Sequence, residues 1–128
     1  MVREPGVRTD DRIVNRGDIF WIAPDEPRGA VPAIAHPHVI VQDDVFNHSR
    51  IDTVVACALS TNLDRVSEPG VVLLEEGEGG LPRRSVVIAS RVSSVHRHAL
   101  GDYLGTLAGS RVDQIVAALR FLQASFHR

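Results

Sequence analysis

Histidines supply the most chemically suggestive spacing in this sequence. His36-x-His38 and His96-x-His98 each separate two imidazoles by one residue, which puts both rings on one face of an extended segment. An imidazole can ligate a metal, or carry a proton near neutral pH because its unperturbed pKa is roughly 6.5. For metal binding the spacing is weakly specific: no acidic ligand is fixed beside either pair, and paired strand histidines are more often structural or exposed. A thiolate cage is excluded, since Cys57 is the only cysteine, and its apolar neighbours mark it as a buried thiol that packs as a small hydrophobe. Phe20, Trp21 and Phe46 have faces on which bases can stack, although aromatics in strands usually belong to the core.

The formal net charge of -2 carries no global signature of a nucleic-acid binder. A groove needs only local positive charge, however, and the basic side chains are arginines, among them Arg28, Arg50, Arg83, Arg84, Arg91 and Arg97. With 128 residues, 44% of them hydrophobic and 23% charged, the chain has the length and composition of one globular domain. No apolar run approaches the roughly 20 residues of a membrane helix, and residues 1–15 lack the apolar centre of a signal peptide. A cytoplasmic protein is expected, with residues 1–15 as a flexible extension and residues 16–128 as a single domain.

Apolar patterning places the elements. Asp18-Ile19-Phe20-Trp21-Ile22-Ala23 reads as a first strand ending at Pro24. A long loop rich in proline and glycine follows, to Ala35. Pro37 to Gln42 and Thr53 to Leu59 are nearly continuous branched runs, the pattern of strands buried on both faces. Between them, residues 43–52 are polar and read as a loop or one helical turn. Gly70 to Leu74 and Ser85 to Ala89 supply two more strands, separated by an acidic, glycine-rich loop from Glu75 to Pro82. Val92 to Val95 extend or bend the fifth strand, and Tyr103 to Leu107 form a short sixth. Val112, Ile115, Val116, Leu119 and Leu122 recur at helical spacing behind Ser110, the expected cap with Asp113 three residues on.

Several segments carry a resemblance to a known family. Arg16-Gly17-Asp18-Ile19-Phe20-Trp21 resembles the opening R-G-D-[IV] strand of the MazF/PemK toxins, and Arg28-Gly29 stands where their first loop has a basic residue and a glycine. Pro37 with Val39-Ile40-Val41 is similar to their R-P-[AV]-[VL]-[VI] strand, followed by Asn47 and by Thr53-Val54-Val55 leading to Ser60-Thr61. Ser85-Val86-Val87 matches S-V-[VI], and Val92-Ser93-Ser94-Val95 through Leu100 loosely follows I-R-T-[IV]-x-x-x-[RK]-L. Leu104-Gly105-Thr106-Leu107 and the helix complete an ordered match from Arg16 to Leu122, in which the order carries more weight than any single motif.

The resemblance implies a mainly β fold with a C-terminal helix: a compact, curved antiparallel sheet, the SH3-like barrel of the MazF/CcdB toxin type, assembled as a homodimer. It also implies a metal-independent endoribonuclease, needing no cofactor, that cleaves single-stranded RNA to 2′,3′-cyclic phosphate and 5′-hydroxyl ends. A cognate antitoxin with a disordered tail is the implied protein partner. The family's catalytic arginine falls on His36 and its Thr/Ser on Ser60; Arg28, Thr61 and Arg91 are the implied RNA-binding residues, and no metal ligands are implied. Taken alone, His36 reads as a loop-end residue, Ser60 as a turn residue and Arg28 as a solvated surface arginine. Histidine at position 36, and Ser93 where the family has a second arginine, frame the alternative of a catalytically degenerate protein that binds RNA, an antitoxin or another protein.

Overall fold

The computed structural model describes residues 12–23 and 35–124. Six strands, β1 (Asp18–Ile22), β2 (His36–Ile40), β3 (Thr53–Ser60), β4 (Val71–Leu74), β5 (Ser85–His96) and β6 (Tyr103–Thr106), form one sheet in the order β4-β5-β3-β2-β1-β6. Every pairing is antiparallel. A single turn of helix, α1 (Asp44–Asn47), links β2 to β3, and α2 (Gly109–Ala124) follows β6. The mainly β architecture with a C-terminal helix is therefore the one the sequence implies. None of the helices among the described residues is long and apolar enough to cross a membrane.

The central strands carry apolar side chains on both faces because each face has its own core. From β3, Val55, Cys57 and Leu59 join Ile19, Val39, Leu74, Val87 and Leu107 on one side, while Val54 and Ala56 join Phe20, Ile22, Ile40 and Leu100 on the other. Helix α2 covers the first core through Ile115, with Val112 and Leu119 packed beside it. Each such branched side chain contributes about 1.5 to 3 kcal/mol on burial.

Two local expectations are corrected. Order does not begin at Arg16: Val14 is fully buried in the second core, and the Arg12 guanidinium donates to the Gly101 carbonyl at 2.7 Å while lying over the Phe20 ring. Two adjacent apolar residues, Ile13 and Val14, in a polar stretch leave no periodicity to read, and only Val14 is buried, which is why this anchor is hidden. Nor does Ser110 cap α2. The N–H groups of Arg111 and Val112 both donate to the Ala108 carbonyl, because Leu107 is already buried and bonded to Gly17 and the chain turns at once. Arg111 steadies this end instead, through two bonds to the Glu78 carboxylate.

The turn after β4 bends the sheet toward closure. Gly77, Gly79 and Gly80 all have positive φ, and the turn they make reaches β6 at the far edge of the sheet. A Cβ at Gly80 would collide with the Leu104 carbonyl, and one at Gly105 would lie 2.6 Å from the Gly79 carbonyl carbon. Backbone meets backbone here, so only glycine fits. The acidic loop thus packs on the α2 side of the sheet, held by Glu78 and Arg111.

Gly80→Ala is expected to lower unfolding free energy by about 2 to 4 kcal/mol in chemical denaturation. Gly77→Ala, where a Cβ meets nothing within 4 Å, should cost only about 1 kcal/mol of backbone strain. Equal losses would show that the β4 to β6 approach is not what Gly80 protects.

Candidate active site

Two of the sequence-predicted residues, His36 and Ser60, lie on the sheet face opposite α2. Strand β2 pairs with β3 through His38–Ala58, Val39–Cys57 and Ile40–Ala56, and continuing that register by two residues brings His36 opposite Ser60. Residues directly opposite on antiparallel strands share a face, with Cβ atoms about 5 Å apart. Pleat alternation places His38 and Ala58 on the same face as His36 and Ser60, one step toward the second core. His36 is exposed, and His38 and Ser60 are half-buried. On β1, Ile22 flanks His36 and Phe20 flanks His38.

Arg91 reaches this row through an irregularity in β5. Cys57 pairs with Val92 and Leu59 with Val87, so residues 88–91 of β5 lie opposite the single residue Ala58. The continuous strand from Ser85 to His96 therefore contains the bend expected from its sequence, and the bend sets exposed Arg91 beside Ala58. Ser93 pairs with Ala56 and is exposed. No carboxylate belongs to the row His36, His38, Ala58, Ser60 and Arg91.

Hydrogen bonding fixes what each polar group can still do. The Ser60 hydroxyl oxygen accepts from the Asn62 N–H at 3.0 Å, which leaves its own hydrogen to donate outward. The bond is a local turn bond, as residue type alone suggests, yet it also holds the hydroxyl in place. His38 Nδ1 lies 2.9 Å from the His36 carbonyl oxygen. A carbonyl only accepts, so Nδ1 carries the hydrogen and Nε2 is bare in the neutral ring. Burial pushes the His38 pKa down; the backbone bond opposes this and the charge of His36 adds to it. Sequence reasoning named His38 only as half of a metal pair, although the same alternation placed it beside His36.

The remaining candidates are dispersed. Thr61 follows Ser60 at the strand end and is exposed, whereas Arg28 lies outside the described residues. His96 and His98 stack at 5.1 Å near the opposite end of β3, where Thr53 pairs with His96. Among the described residues, no group of three or more His, Cys, Asp or Glu side chains could hold a metal ion. Phe20 is core, Trp21 is half-buried and Phe46 is exposed on α1. A cleft of about 680 Å³ lies near His96, lined in part by Arg12, His48, Arg50 and Arg97. It opens at the Asp52–Thr53 end of β3, whereas Ser60 closes the other end of that strand.

A six-stranded antiparallel sheet covered on one face by a C-terminal helix is a small α+β fold, and comparison with known proteins gives its family. Residues 15–122 match the family described as PemK-like, MazF-like toxin of type II toxin-antitoxin system. The chain is 31% identical over 108 residues to the Mycobacterium tuberculosis protein named Endoribonuclease MazF6, covering 84% of this chain and 95% of that one. Identity to Endoribonuclease EndoA of Bacillus subtilis is 23% over 108 residues, covering 84% and 92% of the two chains. A solved mycobacterial structure, titled an endoribonuclease in complex with its cognate antitoxin, superposes with a TM-score of 0.70 at 26% identity, covering 87% of this chain and 95% of that one. The chain belongs to the PemK-like, MazF-like toxin family.

Burial pushes the Cys57 thiol up to about 12. Cys57 should therefore resist a thiol-specific disulfide reagent at pH 8 in the folded protein and react fully in denaturant, as followed by absorbance. Rapid native-state labelling would place it outside the core.

Proposed function

We propose that this chain is the toxin of a toxin–antitoxin pair and cleaves single-stranded RNA without a metal, leaving 2′,3′-cyclic phosphate and 5′-hydroxyl ends. The observation that supports this reading is the β2–β3 register, which, continued by two residues, brings His36 opposite Ser60 on an open face with no carboxylate in the row. Attack by the substrate's own 2′-hydroxyl requires proton transfer and stabilisation of charge on the phosphoryl oxygens. His36 supplies an imidazole at the position of the family's arginine, and Ser60 a held hydroxyl that donates to a phosphoryl oxygen. Arg91, Thr61 and Arg28 are assigned to the RNA backbone, where arginine forks and hydroxyls position phosphates without reading sequence.

The partner reading follows the same lines. The solved antitoxin complex of the mycobacterial relative supports a cognate antitoxin, for which we propose a disordered, acidic and apolar tail that folds into the RNA groove. A twofold homodimer in the cytoplasm is the proposed working form. A specific observation favours one other reading: Ser93, where the family has an arginine, is exposed beside Ala56 and offers no charge to a phosphate. With His36 also departing from arginine, the fold would then serve as a binding module for RNA or an antitoxin.

Purified protein incubated with mixed-sequence single-stranded RNA in EDTA separates the two. Wild type is expected to cut and leave cyclic phosphate ends, with His36→Ala and Ser60→Ala each slowing cleavage by about 10² to 10³. Intact RNA across varied sequences, with the protein folded by circular dichroism, would leave the binding module.

A further inference from the structure

Transesterification at phosphorus needs two proton transfers, and one imidazole cannot make both in the same step: a base takes the 2′-hydroxyl proton while an acid protonates the departing 5′-oxygen. The open face holds a second imidazole in the same row. We propose that His38 is the general base and His36 the general acid of this reaction, with the scissile phosphate lying between the two rings and Ser60 donating to a nonbridging oxygen. The assignment rests on the ribonuclease reading above.

Three observations carry it. His36 and His38 are two positions apart on β2, so their Cα atoms are about 7 Å apart on one face, a spacing on the scale of one phosphodiester. The bond from His38 Nδ1 to the His36 carbonyl fixes the His38 tautomer and orientation, leaving Nε2 as an acceptor. The two rings also differ in environment: His38 is half-buried and His36 exposed. Burial disfavours the imidazolium at His38, so that ring is unprotonated at neutral pH and ready to accept.

The groups around His38 do not reverse this. His36 faces it from its own strand, Ala58 from β3, and Phe20 from β1 with Arg12 over its ring and Tyr103 beside it. Asp18, further along β1, is bonded to the Asn15 N–H and the Thr106 hydroxyl.

The step balances. The 2′-oxygen bonds to phosphorus as its proton passes to His38 Nε2. The bond from phosphorus to the 5′-oxygen breaks, and that oxygen takes a proton from the His36 imidazolium. The products are the cyclic phosphate and the 5′-hydroxyl; solvent then removes the proton from His38 and returns one to His36.

The test uses the full chain in EDTA and an oligonucleotide bearing one cleavage site mapped with wild type, made with an ordinary or a 5′-bridging sulfur leaving group. Sulfur departs without protonation and so needs no acid. His38→Gln is expected to lower kcat by about 10² to 10³ on both substrates, and His36→Gln only on the oxygen substrate, with KM little changed in each case. Binding of the 2′-O-methyl oligonucleotide and circular dichroism check that both variants are folded. Should His38→Gln not fold, the wild-type pH profile of kcat/KM decides. An acidic limb on both substrates, below the ordinary imidazole range, with an alkaline limb on the oxygen substrate alone, supports the assignment; absence of the acidic limb overturns it. Full activity of folded His38→Gln, or its rescue by sulfur, overturns the assignment alone. No cleavage by wild type overturns the ribonuclease reading with it.

Discussion

The antiparallel register between β2 and β3 is the constraint on which the site depends. Both strands are buried on both faces, so a slip of one residue would exchange Cys57 and Leu59 with Ala56 and Ala58 between two cores of different volume. That penalty holds Val39 against Cys57 and Ile40 against Ala56, and thereby His36 against Ser60 at the open end. The geometry of the proposed site is set by apolar side chains of the two cores. Such a site is precise because its supports are close-packed.

The other end of the same pair is closed by polar groups. Gln42 bonds the Asn47 side chain and the Thr53 carbonyl, while Asn47 returns a bond to the Gln42 carbonyl and another to Asp44. Arg97, only 8% exposed, donates to the carbonyls of Ile51, Phe46 and Asn47. No carboxylate lies within ion-pair distance of it among the described residues. Its role is to satisfy a loop that cannot satisfy itself, which matters because unpaired buried carbonyls cost about 1 to 3 kcal/mol each. The cationic residues of this cleft are therefore partly committed to structure, and the polar row at Ser60 is left as the surface with groups to spare.

Strands and the terminal helix were legible because their signals are local. Branched runs at Val39 to Val41 and Val54 to Leu59 announce doubly buried strands, and the Val112, Ile115, Leu119 stripe announces a helix against a core. The choice of His36 and Ser60 as catalytic residues comes only through family resemblance, since nothing local says which strands are neighbours. Val14 is hidden because the adjacent pair Ile13-Val14 sets no period, and Ser110 does not cap because the tight exit from β6 places the first helical turn earlier. His38 was in plain view but was read for metal chemistry. Its bond to the His36 carbonyl, which gives the ring a defined tautomer, exists only in three dimensions.

Replacing an arginine by histidine at this position exchanges fixed charge for proton chemistry. A guanidinium offers several donors and stays charged at every relevant pH, whereas an imidazole offers fewer donors and changes state near neutrality. An enzyme built on arginine stabilises the phosphorane and tolerates a wide pH range; one built on a pair of imidazoles needs them in opposite protonation states. Such a pair cannot share one environment, because identical rings would titrate together and be base and acid in the same form. In the proposed assignment the two rings differ in setting, because β2 runs from an exposed end at His36 to the half-buried position of His38 beside the second core.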